Sequence, residues 1–255
     1  MKKFQRNTLL KMSLMAILCT FCTIKTTFAQ VKTNTPKTVA TTPATTPATT
    51  LVSAPVNADE ALLKLKQGNE RFIKGTSVRP RQDLERVKEV AQGQKPFAII
   101  VGCSDSRVPS EIVFDQGLGD LFIVRTAGQV SSYASWGSIE FANVVLEAKL
   151  ILVMGHTQCG AVAAACKLPD VPGHIVTLIN AIKPAAEVAK TMSGDLVENA
   201  VKTNVAMQVK QLQTLEPVLT KAIKNNTAKV VGAVYDLKTG KVEFLPDNYL
   251  ETIKK

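Results

Sequence analysis

The chain has 255 residues, of which 45% are hydrophobic and 20% are charged. This balance is typical of a globular protein of one or two domains, and it excludes a chain that is disordered throughout. Aromatic residues make up only 5%, which argues against a protein that binds nucleic acid by stacking bases on rings. The five cysteines are too few for a disulfide-stabilised scaffold.

Residues 1–29 have the three-part layout of a secretory signal peptide. A basic start without Asp or Glu precedes an apolar run over residues 12–24, and Thr27-Phe28-Ala29 offers small residues where a signal peptidase reads. The run is shorter than the roughly 20 apolar residues of a membrane-spanning helix. We therefore expect cleavage after Ala29, a periplasmic or secreted protein, and no stable membrane anchor after cleavage. A retained membrane anchor is the alternative.

The predicted cleavage changes how the net charge and the cysteines are interpreted. The whole chain carries +10, and five of its positive charges lie in residues 1–29, which leaves +5. Such a mildly basic protein gives no reason to expect a nucleic-acid partner. Three cysteines remain, Cys103, Cys159 and Cys166, and an odd number in an exported protein argues against a disulfide framework.

Residues 30–57 are rich in Thr, Pro, Ala and Val, with a short tandem repeat over Thr41–Ala48. This composition cannot bury enough apolar surface to offset the entropy of ordering, so it predicts a flexible or extended linker. Residues 58–255 are expected to form the folded catalytic domain.

The predicted domain alternates helices with apolar strands. Helices are expected over residues 60–73 (with Asp59 as the N-cap), 83–92, 135–147, 160–166, 175–190 and 196–224. Strands are expected over residues 96–102, 121–125, 150–154 and 229–236, with a short antiparallel partner over 242–245. This alternation indicates an α/β fold, a mainly parallel β-sheet flanked by helices.

Two of the predicted strands are followed by residues that suit a metal ion. The first is followed by Cys103-Ser-Asp-Ser-Arg107, and the third by His156-Thr-Gln-Cys159-Gly160. The carboxyl ends of parallel strands lie at one edge of a sheet, where function collects in α/β folds. Two thiolates and one imidazole suit Zn²⁺.

Asp105 and Arg107 give the predicted site two possible states. Asp105 can close the site as a fourth ligand. Arg107 can instead hold Asp105 through two parallel hydrogen bonds and leave the fourth position to water. Zinc lowers the pKa of bound water from about 15.7 to about 7, and a free Asp105 can accept the hydrogen of the resulting hydroxide. Cys166 is expected to pack in the core, and His174 to have a structural or surface role.

With these two motifs the sequence resembles the β-class carbonic anhydrases over about residues 60–245. Further similar stretches are Leu65–Phe72, Phe122–Gly128, Gly173–Ile175 and Gly232–Asp236. The resemblance implies an N-terminal helical arm and a homodimer or higher homo-oligomer, with active sites at the subunit interface.

The resemblance also implies the site. One Zn²⁺ per subunit is bound by Cys103, His156 and Cys159. Asp105 is either a fourth ligand or the water-orienting partner of Arg107.

The resemblance to the plant-type branch of the family implies a substrate pocket. Gln94 stands nine residues before Cys103, where that branch has a glutamine that hydrogen-bonds substrate. Phe122 and Phe141 stand where that branch has aromatic residues that narrow the pocket. The backbone N–H of Gly160 can approach the substrate.

One departure concerns regulation. The bicarbonate-inhibited branch has a tryptophan three residues before the first zinc-binding cysteine, where this sequence has Ile100. We therefore expect no second anion site, and we expect the open form in which Arg107 holds Asp105.

The predicted activity is zinc-dependent, reversible hydration of carbon dioxide to bicarbonate and a proton, through zinc-bound hydroxide. One alternative is a hydrolase of carbonyl sulfide or carbon disulfide on the same scaffold. Another is a non-catalytic zinc-binding protein of the cell envelope. Redox catalysis is disfavoured because Cys103 and Cys159 do not belong to a Cys-x-x-Cys pair.

Overall fold

The computed structural model describes residues 57–167 and 170–253. The predicted signal peptide and all but the last residue of the predicted linker lie outside these ranges. None of the helices within them has the length and apolar character that crossing a bilayer requires.

A five-stranded sheet forms the centre of the described domain. Its strands are β1 (Ala98–Cys103), β2 (Leu121–Thr126), β3 (Leu150–His156), β4 (Lys229–Tyr235) and β5 (Val242–Phe244). Their order is β2-β1-β3-β4-β5; the first four are parallel, and β5 is antiparallel to β4. The predicted α/β fold with a mainly parallel sheet is confirmed.

Helices precede, connect and follow the strands. They are α1 (Ala58–Ile73), α2 (Leu84–Val90), α3 (Ser110–Val113), α4 (Tyr133–Val144), α5 (Gly160–Lys167), α6 (Ile175–Ala189), α7 (Leu196–Gln213), α8 (Val218–Lys224) and α9 (Tyr249–Thr252). A 3₁₀ turn at Ala127–Gln129 follows β2. The sheet has apolar layers on both faces, which is why β1 and β3 are buried at every position.

Two helix predictions were wrong in detail. Asn57, rather than Asp59, caps α1: its backbone is extended, and its side-chain oxygen accepts hydrogen bonds from the N–H groups of Asp59 and Glu60 at 3.0 and 2.9 Å. The helix predicted over residues 196–224 is interrupted between α7 and α8. Pro217 lies at this break, and it has no N–H with which to continue the hydrogen-bond ladder of a helix.

A glycine before the end of β3 lets α7 pack closely against the sheet. A Cβ atom at Gly155 would stand 2.7 Å from the Val205 side chain, closer than ordinary packing allows. The glycine therefore fixes the distance between α7 and the strand that delivers His156.

Candidate metal centre

Adjacent strands bring the two sequence motifs together. β1 and β3 are parallel neighbours, with Gly102 opposite Met154, so Cys103 and His156 end their strands at the same edge of the sheet. After β3, Gln158 adopts a left-handed backbone with φ of 55°, and Cys159 follows directly before α5. The ligand atoms of Cys103, His156 and Cys159 all lie within 4.8 Å of one another, and all three residues are buried.

The imidazole of His156 is oriented for a cation. Its Nδ1 donates to the backbone oxygen of Thr157 at 2.9 Å, which leaves the lone pair on Nε2. Nε2 is buried and makes no hydrogen bond within the described part of the chain. Burial lowers the pKa of His156, but the Cys103 sulfur, the Thr157 carbonyl and the Asp105 carboxylate raise it on balance. The surroundings of Nε2 therefore favour a cation at this nitrogen, and a metal ion would take the place of a proton there.

The two sulfurs compete for one proton. A hydrogen bond from the Cys159 thiol lowers the pKa of Cys103 although burial opposes this, and a hydrogen bond from the Gly128 N–H to Cys103 Sγ, at 3.2 Å, acts in the same direction. The hydrogen bond to Cys103 raises the pKa of Cys159 well above its ordinary value, and burial adds to this. A cation that displaces the shared proton would meet two thiolates and one imidazole, which is a ligand set suited to zinc.

Asp105 points towards this group but is held by Arg107. Arg107 Nε donates to Oδ1 at 2.9 Å and Nη2 to Oδ2 at 2.8 Å, and the backbone N–H of Arg107 also donates to Oδ1 at 2.9 Å. These bonds hold the pKa of Asp105 well below its usual range. Asp105 Oδ2 lies 3.7 Å from His156 Nε2. The structure therefore has the Arg-paired arrangement, with a carboxylate beside the three candidate ligands.

Two polar side chains near the site were missed by the sequence reasoning. Arg125 on β2 donates from Nε to the Cys103 oxygen at 2.8 Å and from Nη2 to the Asp105 oxygen at 2.6 Å. Thr157 Oγ1 accepts from the N–H of Leu237 at 3.0 Å, which ties the residue after His156 to the segment after β4. Arg125 lies in one of the stretches that carried the family resemblance, but nothing in the sequence indicated its partners.

Known proteins with similar sequences and folds agree on one family. The carbonic anhydrase family profile matches residues 98–242, more than half of the chain. The carbonic anhydrase of Mycolicibacterium smegmatis is 40% identical over 195 residues, which cover 75% of this chain and 93% of that protein. Carbonic anhydrase 2 of Mycobacterium tuberculosis is 39% identical over 193 residues, with coverage of 73% and 91%.

Solved structures give the same result and specify the class. The β-carbonic anhydrase CcaA has a TM-score of 0.59 at 26% identity, covering 73% of this chain and 95% of its own. The β-carbonic anhydrase CafA of Aspergillus fumigatus has a TM-score of 0.58 at 27% identity, covering 76% and 95%. This chain belongs to the β-carbonic anhydrase family. The family is zinc-dependent, and the group formed by Cys103, His156 and Cys159 can hold its metal.

Cys103, His156 and Cys159 are called the metal group below. The predicted pocket residues of this β-carbonic anhydrase do not all lie near the metal group of the same chain. Gly160 follows Cys159 directly and begins α5. Gln94 is exposed and lies before the amino end of β1, whereas Cys103 is the last residue of that strand. At about 3.3 Å per residue, the length of the strand alone separates them by roughly 16 Å.

The two aromatic residues are also displaced from the ligands. Phe122 pairs with Ile99, whereas Cys103 pairs with Thr126 further along β2. The offset of four residues from Phe122 to Thr126 corresponds to about 13 Å along the strand. Phe141 lies on α4 and is 47% exposed. Among the four predicted pocket residues, Gly160 alone adjoins a candidate ligand in sequence.

Three other residues from the sequence analysis do not belong to the metal group. Cys166 is buried in the core with α5, and burial raises the pKa of its thiol. His174 directly precedes α6, where its backbone oxygen accepts from the Thr177 hydroxyl at 2.7 Å. Ile100 is completely buried in the apolar layer that includes Val108 and Met154.

Proposed function

We propose that this β-carbonic anhydrase interconverts carbon dioxide and bicarbonate with one Zn²⁺ per subunit held by Cys103, His156 and Cys159. The observation that carries the proposal is the buried, unbonded Nε2 of His156 beside two sulfurs, while Arg107 holds the neighbouring Asp105. Bound zinc supplies the nucleophile, because it lowers the pKa of a coordinated water from about 15.7 to about 7.

Asp105 and Arg107 orient the reacting water. A carboxylate held at two oxygens by Arg107 keeps a fixed direction, so it accepts a hydrogen of the water and aims the water's lone pair at carbon dioxide. If Cys103, His156 and Cys159 held a zinc ion, the same two bonds would keep Asp105 on Arg107 and would leave room for a water beside the metal. The amide of Gly160 opens α5, where backbone N–H groups have no partner within the helix and can bind an oxygen of bicarbonate.

The pocket is completed by a second copy of the chain in this proposal. Gln94 and Phe122 lie towards the amino ends of β1 and β2, so they are placed to serve a neighbouring subunit's site rather than their own. The large exposed apolar side chains on and beside α4 favour such an interface: Tyr133, Phe141, Val144 and Val145. This arrangement is the plant-type pocket that the sequence resemblance implies.

The shared pocket can be tested by mixing two weakened variants. Gln94→Ala removes the contribution to the partner's site, and Cys159→Ala removes a ligand from the chain's own site. If sites are shared, hybrids formed by refolding the two together regain part of the activity that each lacks. Activity equal to the mean of the separate variants, or a monomer by light scattering, contradicts the shared site.

The carbonic anhydrase reaction itself is tested by stopped-flow hydration of carbon dioxide together with zinc stoichiometry. Cys159→Ser should lose both zinc and activity. Cys166→Ser is the matched control, because Cys166 is a buried cysteine outside the metal group and should keep both. A zinc-loaded protein without hydration activity contradicts the proposal, and faster turnover of carbonyl sulfide than of carbon dioxide would assign it to that hydrolase instead.

We also propose that the protein is exported, on the support of the layout of residues 1–29 alone. The mass of the protein recovered from the producing cell tests this. Loss of residues 1–29 and recovery outside the cytoplasm are expected. An intact amino terminus in the cytoplasm contradicts export.

A further inference from the structure

We propose that Arg125 is a positioning residue of the active site. It fixes the segment Cys103–Arg107 relative to the other two candidate ligands, without touching a sulfur or a carboxylate. This inference rests on the proposed function and assigns that reaction a residue beyond those that the sequence motifs name.

The contacts of Arg125 join the sheet to the backbone of the metal-binding segment. Arg125 lies on β2 opposite Gly102, the residue before the first candidate ligand. One guanidinium donates to two carbonyl oxygens two residues apart, those of Cys103 and Asp105, at 2.8 and 2.6 Å. Because the guanidinium is planar and its donors are rigidly spaced, the two bonds set the distance between these carbonyls and hence the local turn.

Arg125 ties Asp105 to the sheet, which Arg107 cannot do. Arg107 lies on the same segment as Asp105, so their pair would move with the segment if it shifted. The Asp105 oxygen also accepts the N–H of Val108 at 3.1 Å, and this bond is again local. Among the hydrogen bonds of the described residues, the one from Arg125 ties Asp105 to the sheet.

Cys103 has other contacts with the end of β2 and with the 3₁₀ turn that follows it. The N–H of Ser104 donates to the Thr126 oxygen at 3.1 Å, and the N–H of Gly128 donates to Cys103 Sγ at 3.2 Å. Loss of Arg125 should therefore disturb Asp105 more than it disturbs the sulfur. The expected signature is a larger effect on turnover than on zinc binding.

The alternative interpretation is that Arg125 only hydrogen-bonds two backbone oxygens at the surface and contributes slightly to the free energy of unfolding. The two interpretations differ in what Arg125→Ala changes. For a positioning residue, kcat falls 10- to 100-fold with KM within about 3-fold, because a small displacement of a catalytic group is costly. The zinc dissociation constant, measured by chelator competition, rises by roughly 3- to 10-fold, below the 10- to 100-fold typical of residues that bond a metal-bound side chain directly.

The Co²⁺-substituted protein gives a readout that does not depend on activity. Its visible absorption reports the geometry around the metal, so Arg125→Ala should shift or weaken these bands. Arg125→Lys supplies one donor group that cannot bridge both carbonyls, and it should recover only part of kcat and of the spectrum. Lys224→Ala removes an exposed positive charge at the end of α8 and should match the wild type throughout.

Wild-type kcat, zinc affinity and cobalt spectrum in Arg125→Ala would overturn the inference, whatever happens to stability. If Arg125→Ala does not fold, Arg125→Lys decides: a loss of kcat of about 5-fold or more with wild-type stability supports positioning, and no loss overturns it. If the wild-type protein is itself inactive, the proposed function fails. The zinc and cobalt measurements then still decide whether Arg125 shapes the metal centre.

Discussion

Asp105 and Asp115 lie ten residues apart, and each is held by an arginine side chain, but the two pairs are built differently. Asp105 is held by Arg107, two residues later in the same segment, and its side chain is 18% exposed beside the metal group. Asp115 is held at 2.6 Å by Arg71 from α1, which comes 44 residues earlier, and its side chain is 1% exposed.

The remaining partners of Asp115 show what it does. Its carboxylate also accepts the backbone N–H groups of Val78 and Arg79, at 3.1 and 2.8 Å. These bonds fasten the segment between α1 and α2 to the residues after α3. Asp115, with its distant partners, thus contributes to the fold. Asp105, with its local partner, faces the metal group, and its Oδ2 lies 3.7 Å from His156 Nε2.

The largest expected effect comes from Asp105→Asn. Removing the negative acceptor should lower kcat by about 10²- to 10⁴-fold, the range of a lost proton-accepting group. Zinc content and the free energy of unfolding should stay close to those of the wild type, because the side chain is partly exposed and its partner is local. Stopped-flow kinetics, metal analysis and urea unfolding measure the three quantities. Loss of zinc from this variant would instead make Asp105 a ligand.

Asp115→Asn should give the opposite result. The change leaves Arg71 without its anionic partner and should lower the free energy of unfolding by about 3 kcal/mol. The kcat per folded, zinc-loaded molecule should be unchanged. Asp59→Asn is the matched control: its ion pair with Lys229 is similarly short, at 2.7 Å, but it is exposed, so little change in stability is expected. Equal stability of the two variants would contradict the structural role of Asp115.

The ligand set could be predicted because it depends on short-range patterns. Cys103 and His156 follow apolar strands, and parallel strands end at one edge. The contact between Arg125 and Cys103 depends on the order in which strands pair, with β2 outside β1, and local sequence does not encode that order. Gln94 and Cys103 lie at opposite ends of β1, and the spacing of nine residues between them did not by itself indicate this separation.

The first residue of α1 and the break between α7 and α8 both depend on backbone geometry. Asn57 and Asp59 are both good helix caps, and the extended backbone at Asn57 makes it the N-cap while Asp59 enters the first turn. Pro217 was predicted inside a helix but lies at the break between two.

Arg107→Lys tests whether geometry or charge alone holds Asp105. Lysine keeps the positive charge but cannot form two parallel hydrogen bonds, so Asp105 should lose its fixed direction. We expect kcat to fall by roughly 10-fold, with little change in stability. Arg71→Lys is the counterpart at Asp115, and it should reduce stability and leave kcat unchanged. A wild-type kcat in Arg107→Lys would mean that a positive charge near Asp105 is sufficient.

The smallest effect is the pH dependence of stability that arises from Asp115. Burial alone raises the pKa of Asp115, but the hydrogen bonds from Arg71, Val78 and Arg79 outweigh it and hold the pKa below its ordinary value. A carboxyl whose pKa is lower in the folded state stabilises the protein above its unfolded pKa, near 4, and this contribution is lost as pH falls through the folded value. Wild type should therefore lose its advantage over Asp115→Asn on acidification, by on the order of 1 kcal/mol between pH 5 and pH 3.

Urea unfolding of the wild type and Asp115→Asn at several pH values measures this loss. The metal centre also responds to acid, because protons compete for its thiolates. That response is common to both proteins, so it cancels in the difference between their free energies of unfolding. A difference that stays constant down to pH 3 would show that the Asp115 carboxylate has the same pKa in the folded and unfolded chains, and that its bonds to Arg71, Val78 and Arg79 add no net charge stabilisation.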